Sequence, residues 1–360
     1  MWGNLCFEMT LNEVRNVMRT AENYVLYRLP NEKRGCFISS DRLDVLDHLP
    51  SSFVRLNDSF VMFPFSTDNH PILAIPSKNL DFFDLEEMPL RVSSEAKRSG
   101  SMPDESYSSS FHRFVLAVRE GRFEKLVLSR TSHCRIPSLD RLDLFLKACA
   151  EYPDAMVYLF HSPLSGDWLG ASPELLLTGD DTQFRTVALA GTMRNLNEHA
   201  VKISDWGEKE RLEQRIVADY LRERIACFGT LKDEWGPYSV SAGHVSHLRT
   251  DFYFFMDKDR RSEFISAIHP TPAVCGLPKE ESMRFIMENE GYDRSYYSGF
   301  LGWTDGDGKT HLYVNIRCVR MSDSEAQFFA GGGILASSDL LSEWNETEEK
   351  MTTMKRLLFN

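Results

Sequence analysis

The stretch HPTPAVCGLPKEESMRFIMENEGYDRSYYSGFLGW, residues 269–303, packs conformationally restricted, small and ionisable residues into one window. Its first ten residues hold three prolines and one glycine, which impose an irregular backbone path. Irregular backbone beside regular elements is where binding and catalysis usually sit. Proline-rich loops are often only loops, so the window needs support from the chain around it.

The 360 residues are 42% apolar and 26% charged, an ordinary globular composition with material for one large core or about two domains. Acidic residues outnumber basic ones by 53 to 41, and no basic run could track a phosphate backbone, which argues against nucleic acid as a partner. The opening MWGNLCFEMT has no basic segment leading into an apolar one. Nowhere do about 18 apolar residues run together, so neither secretion nor membrane spanning is expected. Seven cysteines are scattered and never two residues apart. That argues against a disulfide framework or a zinc ribbon and fits a reducing cytoplasm.

Residues 91–110, RVSSEAKRSGSMPDESYSSS, read as an exposed loop. Upstream, residues 61–65 and 72–75 suggest strands. Downstream, helix and strand signals alternate: Phe111, Phe114, Val115 and Val118 at helical spacing, KLVLS as a strand, residues 142–150 as a helix, then AMVYLFH and PELLL as strands. HLYVNIRCVR, residues 311–320, reads as one strand after a hairpin turn at TDGDGKT, with Arg317 sharing a face with Asn315 and Val319. The turn is neither a calcium loop nor a phosphate loop. Ile316 stands where the first needs a glutamate, and Trp303 where the second needs a glycine.

Two helical segments each carry glutamates three apart: Glu210 and Glu213 in KERLEQRIV, Glu343 and Glu346 in SEWNETEEK. Such pairs usually form a solvated helix face. Helical periodicity instead puts Glu213 inside the arc of Ile216, Val217, Tyr220 and Leu221. Glu343 and Glu346 fall beside Met354 and Leu357 at the edge of an apolar arc, while Glu348 and Glu349 point away. Carboxylates on a packed face are costly unless paired or bound to a metal. Oxygen-only ligands from two helices describe a magnesium site rather than zinc or copper.

Lys125 opens the apolar strand KLVLS, and Glu174 precedes three leucines in LGASPELLL. Either could be structural, the lysine as a solvated strand-edge charge and the glutamate as an arginine's partner. Burial of both in one pocket would instead favour a neutral base beside a protonated acid. Arg317, Lys350 and the side-chain-free AGGGI run at residues 330–334 supply cations and N–H donors suited to carboxylates.

The motifs KLVLSR, LGASPELLL, TVALAGT, KERLEQRIV, HPTPAVCGLP, ENEGYDRSYYSGFLGW, YVNIRCVR and AGGGILASSDLLSEWNETEEK follow one another in a fixed order. In that order they resemble the chorismate-utilising enzymes, over about residues 111–358. The resemblance implies an α/β (α+β) fold in which two large antiparallel-rich β-sheets pack face to face with helices outside. It further implies a single unit with a divergent part at residues 1–90, a surface loop at 91–110 and the catalytic core at 111–358.

Within the family the chain is similar to the isochorismate synthases. At the position of Lys125 these carry a lysine that activates water, whereas the ammonia-using anthranilate synthases carry glutamine. The implied reaction is magnesium-dependent isomerisation of chorismate to isochorismate, by water attack at C2 and loss of the 4-hydroxyl, for menaquinone or siderophore biosynthesis. Lys125 would be the base and Glu174 the acid. Glu213 and Glu346 would bind the metal, with Glu210 and Glu343 as their outer partners. Arg317, Lys350 and the amides of Gly331 and Gly333 would meet the enolpyruvyl carboxylate, and Gly191, Thr192, His269 and Ala273 would line the ring. A cytoplasmic monomer acting on a small molecule without a glutaminase subunit is implied. One departure is Gln214, where histidine commonly follows the metal glutamate. A salicylate synthase, an ammonia-using anthranilate or aminodeoxychorismate synthase, and a catalytically inactive relative that binds chorismate or metal are the alternatives.

Overall fold

Strands buried on both faces need a second layer on each side, and the chain supplies both. The computed structural model describes residues 8–50, 56, 58–77, 80–85, 102–194, 201–242, 245–305 and 309–359. It begins with α1 (Leu11–Met18), β1 (Asn23–Arg28), β2 (Arg34–Ser40), β3 (Asp44–Leu46), β4 (Ser59–Phe63), β5 (Ile72–Pro76) and β6 (Asp81–Asp84). Then come α2 (Glu105–Arg119), β7 (Lys125–Arg135), α3 (Arg141–Glu151), β8 (Met156–Ser162), β9 (Gly166–Ser172), β10 (Leu175–Asp180), β11 (Gln183–Arg194) and α4 (Glu208–Phe228). Next are β12 (Thr230–Ala242), β13 (Val245–Phe255), α5 (Arg261–Ile268), β14 (Gly276–Leu277) and α6 (Lys279–Asn289). Last are β15 (Phe300–Thr304), β16 (Thr310–Val314), β17 (Cys318–Met321), β18 (Glu325–Ile334) and α7 (Leu340–Phe359).

The strands form two nine-stranded sheets, ordered β14-β7-β18-β17-β9-β8-β1-β2-β6 and β12-β13-β11-β10-β16-β15-β4-β5-β3. Pairing between these strands is antiparallel throughout. The N-terminal segment, which carries no interpretable motif, builds the far ends of both sheets. Between them lies an aromatic core containing Tyr27, Tyr158, Phe160 and Trp168 from the first sheet and Phe60 and Leu301 from the second. Each such fully buried side chain contributes roughly 1.5–3 kcal/mol by leaving water. Helices α3 and α7 cover the outer face of the first sheet through Phe145, Met351 and Met354, and α4 and α5 cover the second through Val217, Leu221 and Phe264. The expected sandwich with helices outside is the observed one. Among the described residues no helix is long and apolar enough to cross a membrane.

Two expectations need correction. The serine-rich loop does not reach residue 110, because α2 starts at Glu105, with the Asp104 side chain capping it by accepting from Tyr107 N at 2.7 Å. Buried Tyr107 and Phe111 drive that start, while residues 91–101 lie outside the described set. Residues 311–320 are not one strand either. β16 ends at Val314 in the second sheet and β17 begins at Cys318 in the first, so residues 315–317 cross between sheets. Arg317 makes the break by taking a left-handed backbone (φ 51°), which its apolar-polar alternation does not betray.

Candidate active site

Two of the crossovers between the sheets carry a predicted functional residue. Glu174 lies where β9 passes into β10, and Arg317 where β16 passes into β17. The crossovers are bonded to each other: Val314 N donates to Glu174 O (2.9 Å), Ser172 Oγ to Val314 O (2.6 Å) and Ala171 N to Arg317 O (3.1 Å). A non-glycine residue in the left-handed region costs about 1–3 kcal/mol and persists where its surroundings over-determine it. Arg317 is held in this way, buried and donating to His247 Nε2 (2.9 Å) and Thr353 Oγ1 (3.2 Å).

His247 is fully committed. A guanidinium can only donate, so Nε2 is an acceptor and the proton sits on Nδ1, which donates to Gly191 O at 3.0 Å. Burial, then the Arg317 charge, hold this imidazole neutral, well below its usual pKa. The Gly191 carbonyl is free for it because β11 bulges there, its register with β13 shifting between Ala190 and Thr192 while Gly191 takes φ 74°.

Beside the crossovers is a cavity of about 580 Å³, counted out to where it opens to solvent. Of the predicted residues, Glu174, Gly191, Thr192, Glu213, Ala273, Arg317, Gly331, Gly333 and Lys350 line it. Glu174 is 4% exposed, and burial raises its carboxyl to about 7 even though Lys125, Lys350, the nearby Thr271 hydroxyl and Arg317 pull the other way. Lys125 is fully buried just behind the wall. Its Nζ stands 2.9 Å from Glu213 Oε1, an ion-pair separation that lacks hydrogen-bond alignment. Despite burial, that ammonium holds Glu213 below the usual carboxylate range. Burial lowers Arg317 to about 10.

The AGGGI run, read from sequence as an exposed source of amides, is part of β18 and pairs with β7 along its length. Its glycines serve by lacking side chains. A Cβ on Gly333 would stand 2.2 Å from Glu213 Oε1 and 2.9 Å from Lys125 Cε. One on Gly332 would stand 2.9 Å from Glu343 Oε2 and 3.5 Å from Glu346 Oε1. The strand therefore runs bare so that carboxylates from α4 and α7 can close on it.

Those carboxylates are held by lysines: Glu213 by Lys125, Glu343 by Lys209, and Glu346 by Lys350 at 2.6 Å. Among the described residues no three acidic, histidine or cysteine side chains form a ready metal-binding group. The donor set nevertheless suits a hard divalent cation. Glu343 is 0% exposed with Oε2 lacking a hydrogen-bond partner, and burial and then Glu346 raise it to about 7. A cation shared by Glu343, Glu346 and Glu213 would satisfy that orphaned oxygen. Glu210 sits in the first turn of α4 with its backbone against Gly191, where a Cβ would meet Glu210 O at 3.0 Å.

The structure keeps His269 off the cavity wall. Its Nε2 donates to Pro64 O at 3.3 Å, its ring packs edge-on against Phe300, and burial lowers it to about 3. Glu348, expected on the solvent side, pairs with Arg130 and Lys355.

Residues 75–359 match the family described as chorismate binding enzyme. The chain belongs to this family. It is 34% identical over 244 residues to the isochorismate synthase EntC of Escherichia coli (strain K12), covering 64% of this chain and 61% of that protein. It is 29% identical over 270 residues to the isochorismate synthase DhbC of Bacillus subtilis (strain 168), covering 71% and 68%. The chain thus spans about three fifths of the length of the E. coli relative. The solved structure of MenF, the menaquinone-specific isochorismate synthase from E. coli, superposes with a TM-score of 0.76 at 18% identity, over 96% of this chain and 91% of that one. That likeness is one of fold.

Sequence reading missed His247, Lys209, Thr271 and Tyr297. Tyr297 and His247 line the cavity, Lys209 holds Glu343, and Thr271 reaches Glu174. Only Thr271 had a local signal, its place among the prolines of residues 269–278. The partners of the other three come from distant elements.

Proposed function

We propose that this protein is an isochorismate synthase that converts chorismate to isochorismate with Mg²⁺. The observation that carries the reading is a carboxyl raised to about 7 in the wall of one cavity together with Arg317 and Lys350, with the fully buried Lys125 directly behind that wall. The named relatives support it.

Chorismate carries two carboxylates and a 4-hydroxyl that must leave while water adds at C2. Arg317 and Lys350 offer cations to the enolpyruvyl carboxylate, and the bare glycine strand lets that group approach. With Glu213 committed to the cation, Lys125 would no longer be held as its ammonium partner, and as the neutral amine it would take a proton from the attacking water. Glu174, still protonated near neutral pH, gives one to the departing hydroxyl. Glu213, Glu346 and Glu343 would hold Mg²⁺, which would neutralise charge on the ring carboxylate, and Glu210 would support them. Gly191, Thr192 and Ala273 shape the ring's side of the cavity. Water as nucleophile removes any need for a glutaminase subunit. The resemblance to isochorismate synthases further supports reading the protein as a cytoplasmic monomer whose product feeds menaquinone or siderophore synthesis.

Purified protein incubated with chorismate and Mg²⁺ should yield isochorismate, followed by chromatography. Salicylate and pyruvate as main products would sink the isomerase reading, and turnover requiring ammonium would replace it with an anthranilate-type synthase. Chelation with EDTA should abolish turnover, and added Mg²⁺ should restore it.

A further inference from the structure

Strand β7 carries Lys125 and the cavity-lining Val127, yet it lies next to the sheet's end, where its outer neighbour β14 is only two residues long. β14 pairs with Lys125 and Leu126 and then stops. Beyond it the backbone groups of Val127 and Ser129 need other partners, since a buried bare edge is costly. The N–H of Val127 donates to Cys275 O at 2.8 Å. Val127 O and Ser129 N are met by two side chains from the ENEGYDR motif. Arg294 NH2 donates to Val127 O (2.9 Å), and Glu290 Oε1 accepts from Ser129 N (2.6 Å) and Ser129 Oγ (2.8 Å).

Arg294 and Glu290 also bind each other through two bonds of 2.6 and 2.7 Å, and their side chains are 2% and 1% exposed. A second arm of the guanidinium donates to Val274 O at 2.7 Å, and Val274, next to the Cys275 that meets β7, also lines the cavity. The Phe65 ring lies 4.4 Å from the guanidinium carbon. A buried ion pair is poor evidence of stabilisation by itself, because apolar residues of similar volume often do as well. This one differs in where its bonds go, to backbone atoms of two neighbouring segments that line the same cavity.

We propose that the Arg294–Glu290 pair is a positioning element for the reaction: it replaces the missing strand along β7 and holds Val127, Val274 and, two residues along, Lys125 in register. This rests on the reading of Lys125 as the base. It assigns residues 290–294 a function that the segment before β14 does not perform, because the N–H groups of Val274 and Cys275 turn back to Thr271 O (3.0 Å each) instead of continuing the ladder.

Arg294→Lys tests it. Lysine retains the charge opposite Glu290, but its single nitrogen cannot span Glu290, Val127 O and Val274 O together. Amide hydrogen exchange read by mass spectrometry should quicken about 10-fold in peptides covering residues 125–130 and 271–277 and nowhere else. With chorismate, kcat should fall about 10-fold or more while KM stays within about 3-fold, since small misplacements at a reacting centre act on turnover. Should Arg294→Lys fold poorly, the double variant Glu290→Gln, Arg294→Gln leaves no charge buried alone and should show the same local exchange. Wild-type exchange in both segments would overturn the proposal, and so would local exchange with unchanged kcat. Exchange raised throughout the molecule, with activity lost in proportion to folded protein, would also overturn it by showing a purely stabilising role. If the wild-type protein does not turn over chorismate at all, the functional reading fails, and the exchange data alone then decide whether the tether exists.

Discussion

Replacing Glu174 by glutamine should make the protein more stable at alkaline pH and nearly inactive at once. Burial raises this carboxyl from 4.5 to about 7 in the folded state. A folded pKa above the unfolded one contributes stability that is fully present below the unfolded value and is lost as pH rises through the folded value. Ionising Glu174 in place therefore costs roughly 3 kcal/mol, at about 1.4 kcal/mol per pKa unit. Glutamine cannot ionise. The stability difference between E174Q and the wild type should be near zero at pH 4.5, grow by about 1.4 kcal/mol per pH unit, and level off above pH 7 at roughly 3 kcal/mol in the variant's favour. Urea denaturation of both proteins from pH 5 to 8.5 reads this difference directly, and subtracting the wild type removes the titration of Glu343 and other shared groups. Over the same range, wild-type kcat/KM should fall on an alkaline limb near pH 7 as the acid loses its proton, and E174Q should lose about 10²–10⁴-fold in kcat. Equal stability of the two proteins at pH 8 would refute the claim that burial keeps the proton on Glu174. A stabilised variant with turnover within tenfold of wild type would refute its role as acid.

Lys125→Ala should abolish turnover while retaining chorismate binding, measured by calorimetry, and should lower stability by about 3–5 kcal/mol because Glu213 is left buried without its partner; comparable turnover would show the assigned role is wrong. Gly333→Ala should fold, since its Cβ meets the end of the Glu213 side chain rather than backbone, yet lose turnover as Glu213 is pushed off Lys125; a crystal structure with the pair intact would contradict this. Glu346→Gln should weaken Mg²⁺ affinity about 10-fold or more in a calorimetric titration, and an unchanged titration would refute the ligand assignment. Arg317→Lys should raise KM for chorismate about 10-fold, because lysine lacks the fork that binds His247 and a carboxylate together; an unchanged KM would place the enolpyruvyl carboxylate elsewhere.

Helical periodicity put Glu213 and Glu343 on packed faces, and both are buried. It could not find what neutralises them. Lys125 and Lys209 lie on other elements, and pairing partners far apart in sequence leave no periodic trace. The same limit explains His247, whose two hydrogen bonds run to a bulge in β11 and to a crossover at Arg317. His269, which the resemblance put beside the ring, packs against Phe300 and bonds to Pro64 O rather than lining the cavity, a placement that depends on elements far from it in sequence.

By itself the sequence determined the two-sheet architecture, through an ordered set of motifs, and the residue types of the chemistry, because acid, base and carboxylate ligands each need particular functional groups. It also singled out residues 269–303 as special without saying why. Tertiary structure alone decided that this stretch is a brace. The N–H groups of Val274 and Cys275 turn back to Thr271 instead of extending β7's ladder, and Arg294 and Glu290 from farther along the stretch do so with side chains. Tertiary structure also set the protonation of Glu174, since a carboxyl's proton affinity follows its surroundings, and those are assembled only when two strands cross between the sheets.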